Sequence, residues 1–338
     1  MIRLLRSLFI LVLCLCALAA GLWWDAEQLM QAPLQLQSKQ RFEIGSGKNL
    51  NGVLMALRAQ DIVPADRLVR YVQIYARITG KASLLKAGEY ELTPGMNSYD
   101  LLALMISGKT VLHELRLTEG WTFNEARAAI AGSPELVHTL KDLDEQQVMA
   151  ALDQPGLRAE GRFFPDTYRF PKGTTDAAFL RRAFSEMSRH LQQEWTQRDP
   201  DLPYRSADEA LIMASIIEKE TAVPDERAEV AGVFIRRLKL GMKLQTDPTV
   251  IYGLGPQYDG SLHRRDLDTD TPYNTYTRTG LPPTPICLPG RASLHAALHP
   301  ATGSALFFVA RGDGTHQFSD TLDQHNAAVK KFQLGKNQ

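Results

Sequence analysis

The sequence predicts an α+β protein carried on one N-terminal transmembrane helix, and three observations predict it. A single uncharged apolar run opens the chain, short alternating segments bound helices between residues 41 and 118, and longer helices dominate residues 119–338. The 338 residues are 44% apolar and 22% charged, enough for a sizeable core and about two domains. Basic and acidic side chains balance at 38 each. That balance removes the basic field of a nucleic-acid binder and gives no general pull toward an acidic lipid surface, so no nucleic-acid partner is expected. Cys14 and Cys16 lie in the apolar run and Cys287 stands alone. The soluble part therefore closes no internal disulfide and builds no thiolate metal site.

Ser7 to Trp24 carries no charge and, as a helix, spans roughly 27 Å, close to a hydrocarbon core of about 30 Å. Arg3 and Arg6 precede it and no Lys or Arg follows until Lys39, a bias that keeps the N-terminus cytoplasmic and sends the rest across. Trp23 and Trp24 stand at the interfacial aromatic belt. A cleaved signal peptide competes with this reading, because Ala17-Leu18-Ala19 is a small-x-small site. The full-length span favours a retained anchor over residues 1–24, with the bulk of the chain outside the cytoplasm. Leu13 and Leu15 before the cysteines argue against a lipoprotein. Asp25 to Lys39 is polar and Gln-rich with Pro33, and reads as a spacer over residues 25–40.

Arg41 to Ile44 is strand-like, Leu50 to Gln60 is helical, and Pro64 opens a helix with Leu68, Val72 and Tyr75 on one face. Glu89 to Leu92 returns as a strand, Ser98 caps a helix through Ile106, and Val111 to Leu117 alternates again. Residues 41–118 thus form a small α+β module. Beyond it, Thr122-Phe-Asn-Glu125 is a capping box, and helices are expected over Glu135 to Leu152 and Asp176 to Gln197. Ser206-Ala-Asp-Glu209 is a second box before Ala210 to Glu220. A further helix runs from Pro224 to Leu240, and residues 241–290 are loop-rich. Leu306 to Ala310 and His316 to Phe318 flank a Gly312-Asp-Gly314 hairpin turn.

The helix Leu211 to Glu220 is apolar on most of its circumference, which places it in a core and makes its carboxylates conspicuous. Glu218 shares a stripe with Leu211, Ala214 and Ser215; Glu220 faces nearly the opposite way, over Met213 and Ile216. One helix cannot aim both at one cleft. A carboxyl on an apolar face holds its proton to higher pH, as a general acid must, so Glu218 is either such an acid or a last-turn residue paired with Arg236 or Arg237. Gln245, Thr246, Asp247, Asn274 and Tyr276 put amides, hydroxyls and aromatic faces on loops, which suits sugar recognition or ordinary turn chemistry. Glu160 to Tyr168 reads as an aromatic packed corner. His295 and His299 are four apart, but no intervening Glu makes the metalloprotease pattern, so no metal site is expected there. Ser215 lacks a nucleophile elbow.

Taken together, Glu160-Gly...Phe164-Pro-Asp-Thr-Tyr168, Ala214-Ser-Ile-Ile-Glu218-Lys-Glu-Thr221, Leu244-Gln-Thr-Asp-Pro-Thr-Val-Ile-Tyr-Gly253, Tyr273-Asn-Thr-Tyr276 with Gly280-Leu-Pro-Pro283, and Gly314-Thr-His316 closely resemble the MltG (YceG-like) endolytic murein transglycosylases. Thr284 departs from the Gly usual after Leu-Pro-Pro, and Cys287-Leu288 fills a variable stretch. The resemblance implies a LysM-like glycan-binding module over residues 41–118 and a catalytic transglycosylase domain over residues 119–338. It places the catalytic acid on Glu218; beside that acid, the residue chemistry puts Glu220 and Ser215 in support and Gln245, Thr246, Asp247, Asn274 and Tyr276 toward the substrate. It also implies cleavage of nascent peptidoglycan strands in the periplasm, at the cell inner membrane, beside peptidoglycan synthases (penicillin-binding proteins). The reaction closes a 1,6-anhydro ring by intramolecular attack, so one carboxylate suffices and no cofactor or metal is required. Two other readings stay open: a noncatalytic glycan-binding scaffold, and a muramidase that delivers water with Asp247 as second carboxylate.

Overall fold

A computed structural model describes residues 2–334; residue 1 of the predicted anchor and residues 335–338 of the predicted catalytic domain lie outside the described residues. The chain divides into two compact units, residues 1–113 with 170–173, and residues 114–169 with 174–338.

The first unit starts with helix α1 (Ile2–Gln31). Its N-terminal part is apolar and exposed, and from Leu5 the helix is long enough to cross a membrane. A single-pass anchor fits this helix. Strand β1 (Gln40–Ile44), helices α2 (Leu50–Ala59) and α3 (Asp66–Ile78), strand β2 (Gly88–Leu92) and helix α4 (Ser98–Ser107) follow. β1 and β2 pair antiparallel with Phe42 opposite Tyr90. α2 buries Leu50, Val53, Leu54 and Leu57, while α3 buries Leu68, Val69, Val72 and Ala76, each a stripe of helical period that closes on the sheet. Asn97, rather than the predicted Ser98, caps α4 and completes a capping box with Asp100.

The predicted spacer is in fact part of this unit. α1 runs on to Gln31, and Leu29, Met30, Leu34 and Leu36 join the hydrophobic core. Tyr71 donates to Asp25 at 2.8 Å and Tyr99 to Glu27 at 2.8 Å, tying the polar side of the same turn to α3 and α4.

Strand β3 (Leu112–Arg116) pairs with β4 (Thr167–Pro171); helices α5 (Phe123–Ala131) and α6 (Glu145–Ala151) lie between them in the chain. The helix predicted over residues 135–152 shrinks to α6, because turns occupy the residues before Asp144, which caps it. Then come α7 (Asp176–Gln197), α8 (Ala207–Glu220), α9 (Arg227–Lys239), α10 (Asp247–Leu254), α11 (Arg264–Asp268) and α12 (Arg291–Leu298). The antiparallel hairpin of β5 (Phe307–Ala310) and β6 (His316–Ser319) and helix α13 (Leu322–Val329) complete the unit. α8 is its hub: every residue from Ala210 to Ile217 is buried, against α7, α9, α10 and α12. Ser206 caps α8 by accepting from Glu209 N–H, but the Glu209 carboxylate accepts from Arg205 N–H, so the predicted second box is only half made.

Candidate active site

The last two turns of α8 send their two carboxylates to different places. Glu218 Oε2 accepts from Gly290 N–H at 2.9 Å, at the start of α12. Glu119 crowds the same spot, since a Cβ on Gly290 would clash with its Oε1. Burial, then the charge of Glu218, raises the Glu119 carboxyl above its ordinary value. Arg236 and Arg237, the expected partners of Glu218, instead bond the carbonyls of Ala305 and Leu306.

Glu220 faces a cavity of about 490 Å³, which Glu218 does not line. Asp247, Tyr276, Gln245, Arg237 and His316 share that lining, with Phe307 and Phe308 as its apolar wall. Thr246 donates its hydroxyl to Glu220 Oε2 at 2.7 Å. Burial lifts the Glu220 carboxyl above its ordinary value and the nearby Asp247 charge lifts it further, partly offset by Thr246, His316 and Arg237. Such a group keeps a proton to higher pH than a surface glutamate does. Oε2 accepts from Thr246, which leaves Oε1 without a partner side chain among the described residues.

The segment before α10 builds the other wall. Gln245 adopts φ 51°, a left-handed conformation unusual outside glycine and frequent where function demands a bend. Its N–H donates to Thr275 carbonyl at 3.1 Å and Thr246 N–H to Thr275 Oγ1 at 3.1 Å, so the two loops are laced together. Tyr276 donates to Asp247 Oδ1 at 2.5 Å. Burial, with that bond, holds the phenol well above its ordinary value. From the hairpin, His316 turns Nδ1 to Glu226 at 2.7 Å while its N–H meets the other Glu226 oxygen at 2.8 Å. A carboxylate that fixes an imidazole this way sets its tautomer.

Besides Glu218, Asn274 and Ser215 among the predicted site residues do not line the cavity. Asn274 is 1% exposed and fully engaged within the protein: Nδ2 donates to the carbonyls of Asp266, Leu267 and Thr269, and Oδ1 accepts from Tyr276 N–H. It shapes the loop that presents Tyr276. Ser215 is wholly buried, donating to Ile212 carbonyl at 2.7 Å and accepting from Ile286 N–H at 3.0 Å. The sequence offered Arg237 only as a partner for Glu218; its place in the cavity lining, where its guanidinium bonds the carbonyls of Leu244 and Leu306, was missed.

The aromatic corner holds a further buried acid. Glu160 accepts from Phe123 N–H at 2.9 Å and from Tyr252 hydroxyl at 3.0 Å, yet burial outweighs both bonds and raises its carboxyl to about 7. A carboxyl raised on folding leaves stability untouched below about 4.5 and lowers it as pH climbs from there to about 7, by roughly 3 kcal/mol. Glu160→Gln is therefore expected to flatten the fall of the thermal midpoint between pH 5 and pH 8, relative to the parent, as differential scanning calorimetry would record. Parallel midpoint curves for the two proteins would refute this assignment.

The model of the YceG-like family matches residues 42–331. The chain belongs to the YceG-like family. This YceG-like chain is 31% identical to the endolytic murein transglycosylase of Bacillus subtilis, an alignment covering 90% of this chain and 89% of that one. It is 26% identical to the endolytic murein transglycosylase of Streptococcus pneumoniae, over 93% of this chain and 63% of that longer protein. The crystal structure of a putative YceG-like protein from Listeria monocytogenes shares the fold at a TM-score of 0.54 and 32% identity, covering 86% of this chain and 99% of that one.

Proposed function

We propose that this chain is an endolytic murein transglycosylase whose general acid is Glu220. The observation that carries the reading is the Glu220 carboxylate, burial-raised and held by Thr246, at the wall of a cavity that it shares with Asp247, Tyr276 and His316. The names of the relatives supply the substrate class, murein. This departs from the assignment to Glu218 that the family resemblance implies; Glu218 accepts from Gly290 N–H and does not line that cavity.

In the proposed reaction Glu220 Oε1 protonates the glycosidic oxygen between N-acetylmuramic acid and N-acetylglucosamine, and the C1–O bond breaks. The carboxylate then takes the proton of the muramic 6-hydroxyl as that oxygen closes on C1, giving a 1,6-anhydro end. Attack from within the same sugar needs no second catalytic carboxylate, and proximity contributes up to about 7 to 11 kcal/mol in well-oriented cases. Burial, and then the charge of Asp247, favour the protonated form of Glu220 before the step, and Tyr276 fixes Asp247. Gln245 completes the wall and is available to the sugar, while the buried Thr246 holds Glu220 from behind.

The same reading puts α1 in the cell inner membrane, N-terminus cytoplasmic by Arg3 and Arg6, with the catalytic unit in the periplasm. The module of residues 41–118 acts as a LysM-like glycan-positioning unit, and the substrate is the nascent strand delivered by peptidoglycan synthases, whose elongation the cut terminates.

Asp247 lies in the same cavity as Glu220, which keeps the water-delivering muramidase as the second reading. Mass spectrometry of purified sacculi digested by the full-length protein in detergent separates the two. Internal cuts ending in anhydro sugars, one water lighter than reducing ends, are the expected result. Reducing ends would establish hydrolysis instead, and tight binding without cleavage would establish a scaffold.

A further inference from the structure

We propose that Glu194, His295 and His299 form a binding site for a divalent transition-metal ion, with Zn2+ the best match to the donor set. The two histidines lie one turn apart, His295 in the last turn of α12 and His299 at its end, and no carboxylate lies between them in the sequence. Folding supplies one from α7: Glu194, with its side chain only 7% exposed. Its Oε2 lies 2.9 Å from His295 Nδ1 and 3.8 Å from His299 Nε2, and the three donor atoms all fall within 4.8 Å of one another. A tetrahedral ion with bonds of about 2.0 to 2.1 Å holds its ligand atoms roughly 3.4 Å apart, so the observed separations straddle the required one.

A second feature points the same way. His299 Nδ1 faces Asp199 Oδ1 at 2.8 Å. As acceptor for Nδ1–H, that carboxylate leaves the lone pair of Nε2 on the side of Glu194, the outer-shell arrangement by which proteins orient a metal-binding histidine. Arg291 Nε approaches the other Glu194 oxygen, Oε1, at 3.9 Å, and so balances part of the charge without taking Oε2. Two imidazoles and one carboxylate suit Zn2+ over Mg2+ or Ca2+, which prefer all-oxygen shells. The side chain of His295 is 61% exposed, which gives an ion a path in and leaves room for water as fourth ligand.

None of these residues lines the cavity that holds Glu220. The ion would join α7 to α12, both packed on α8, and so act on stability rather than on the sugar. This inference is independent of the reaction proposed above.

The test uses full-length protein in detergent, stripped with a chelator and titrated with Zn2+ against a chromophoric competitor, with Co2+ as optical probe. One equivalent should bind, the thermal midpoint should rise, and Co2+ should give the visible absorption of a tetrahedral nitrogen and oxygen site. His295→Ala, at an exposed position that should leave the fold intact, should weaken Zn2+ at least about 100-fold and remove the Co2+ band. Asp199→Asn should weaken binding about 10- to 100-fold, and His263→Ala, outside the cluster, should change nothing. Absence of stoichiometric binding, or equal affinity in His295→Ala, would overturn the site and leave the three side chains as an ion-pair network.

Discussion

Asn274→Ala is expected to destabilise the second unit by about 3 kcal/mol, because it removes at once the hydrogen bonds by which this buried amide holds the carbonyls of Asp266, Leu267 and Thr269 and the N–H of Tyr276. For a unit of this size that corresponds to a fall in Tm of roughly 6 to 12 °C. Activity should drop as folded protein is lost, with the surviving folded fraction cutting more slowly as the loop that presents Tyr276 slackens. Asn274→Asp should be comparably damaging. It keeps an acceptor for Tyr276 N–H but turns a carboxylate toward the carbonyls of Asp266, Leu267 and Thr269. Differential scanning calorimetry decides the matter: an unchanged Tm with reduced turnover would return Asn274 to the sugar-binding role that the sequence suggests.

That contrast illustrates what was legible in the sequence. Elements announced by local chemistry appear where expected: the Thr122 capping box, the span of α7 and the hairpin around Gly312-Asp-Gly314 all depend on neighbouring residues. The tail of α1 and the segment that follows it were not legible, since Met30, Leu34 and Leu36 show no helical period; they join a core whose other members come from farther along the chain. Asn274 looked like a solvent-facing amide because only folding wraps residues 266–276 around it.

The two carboxylates of α8 show the same limit at the site itself. Periodicity separates Glu218 from Glu220, but α8 is buried on nearly every side, so apolar surroundings alone select neither. The choice rests on Thr246, Asp247, Tyr276 and His316, brought to Glu220 by loops and a hairpin whose spacing carries no such message.

Glu220→Gln should therefore produce the larger loss in activity of the two substitutions. The amide keeps the size of the side chain and can still accept from Thr246, but it has no proton to give the glycosidic oxygen and cannot take one from the 6-hydroxyl. Loss of general acid–base catalysis costs typically 10² to 10⁴ in rate, with little expected change in Tm because an energetically unfavourable buried acid is replaced by a neutral amide. Glu218→Gln weakens one hydrogen bond to Gly290 N–H and should retain cleavage within about tenfold. The decisive measurement is the rate of anhydro-end formation from purified sacculi by Glu220→Gln and Glu218→Gln, each shown by calorimetry to be folded. The account predicts a Glu220→Gln protein slower by at least about 100-fold beside a working Glu218→Gln protein; an inactive Glu218→Gln beside a fully active Glu220→Gln would contradict it and move the acid to the other face of α8.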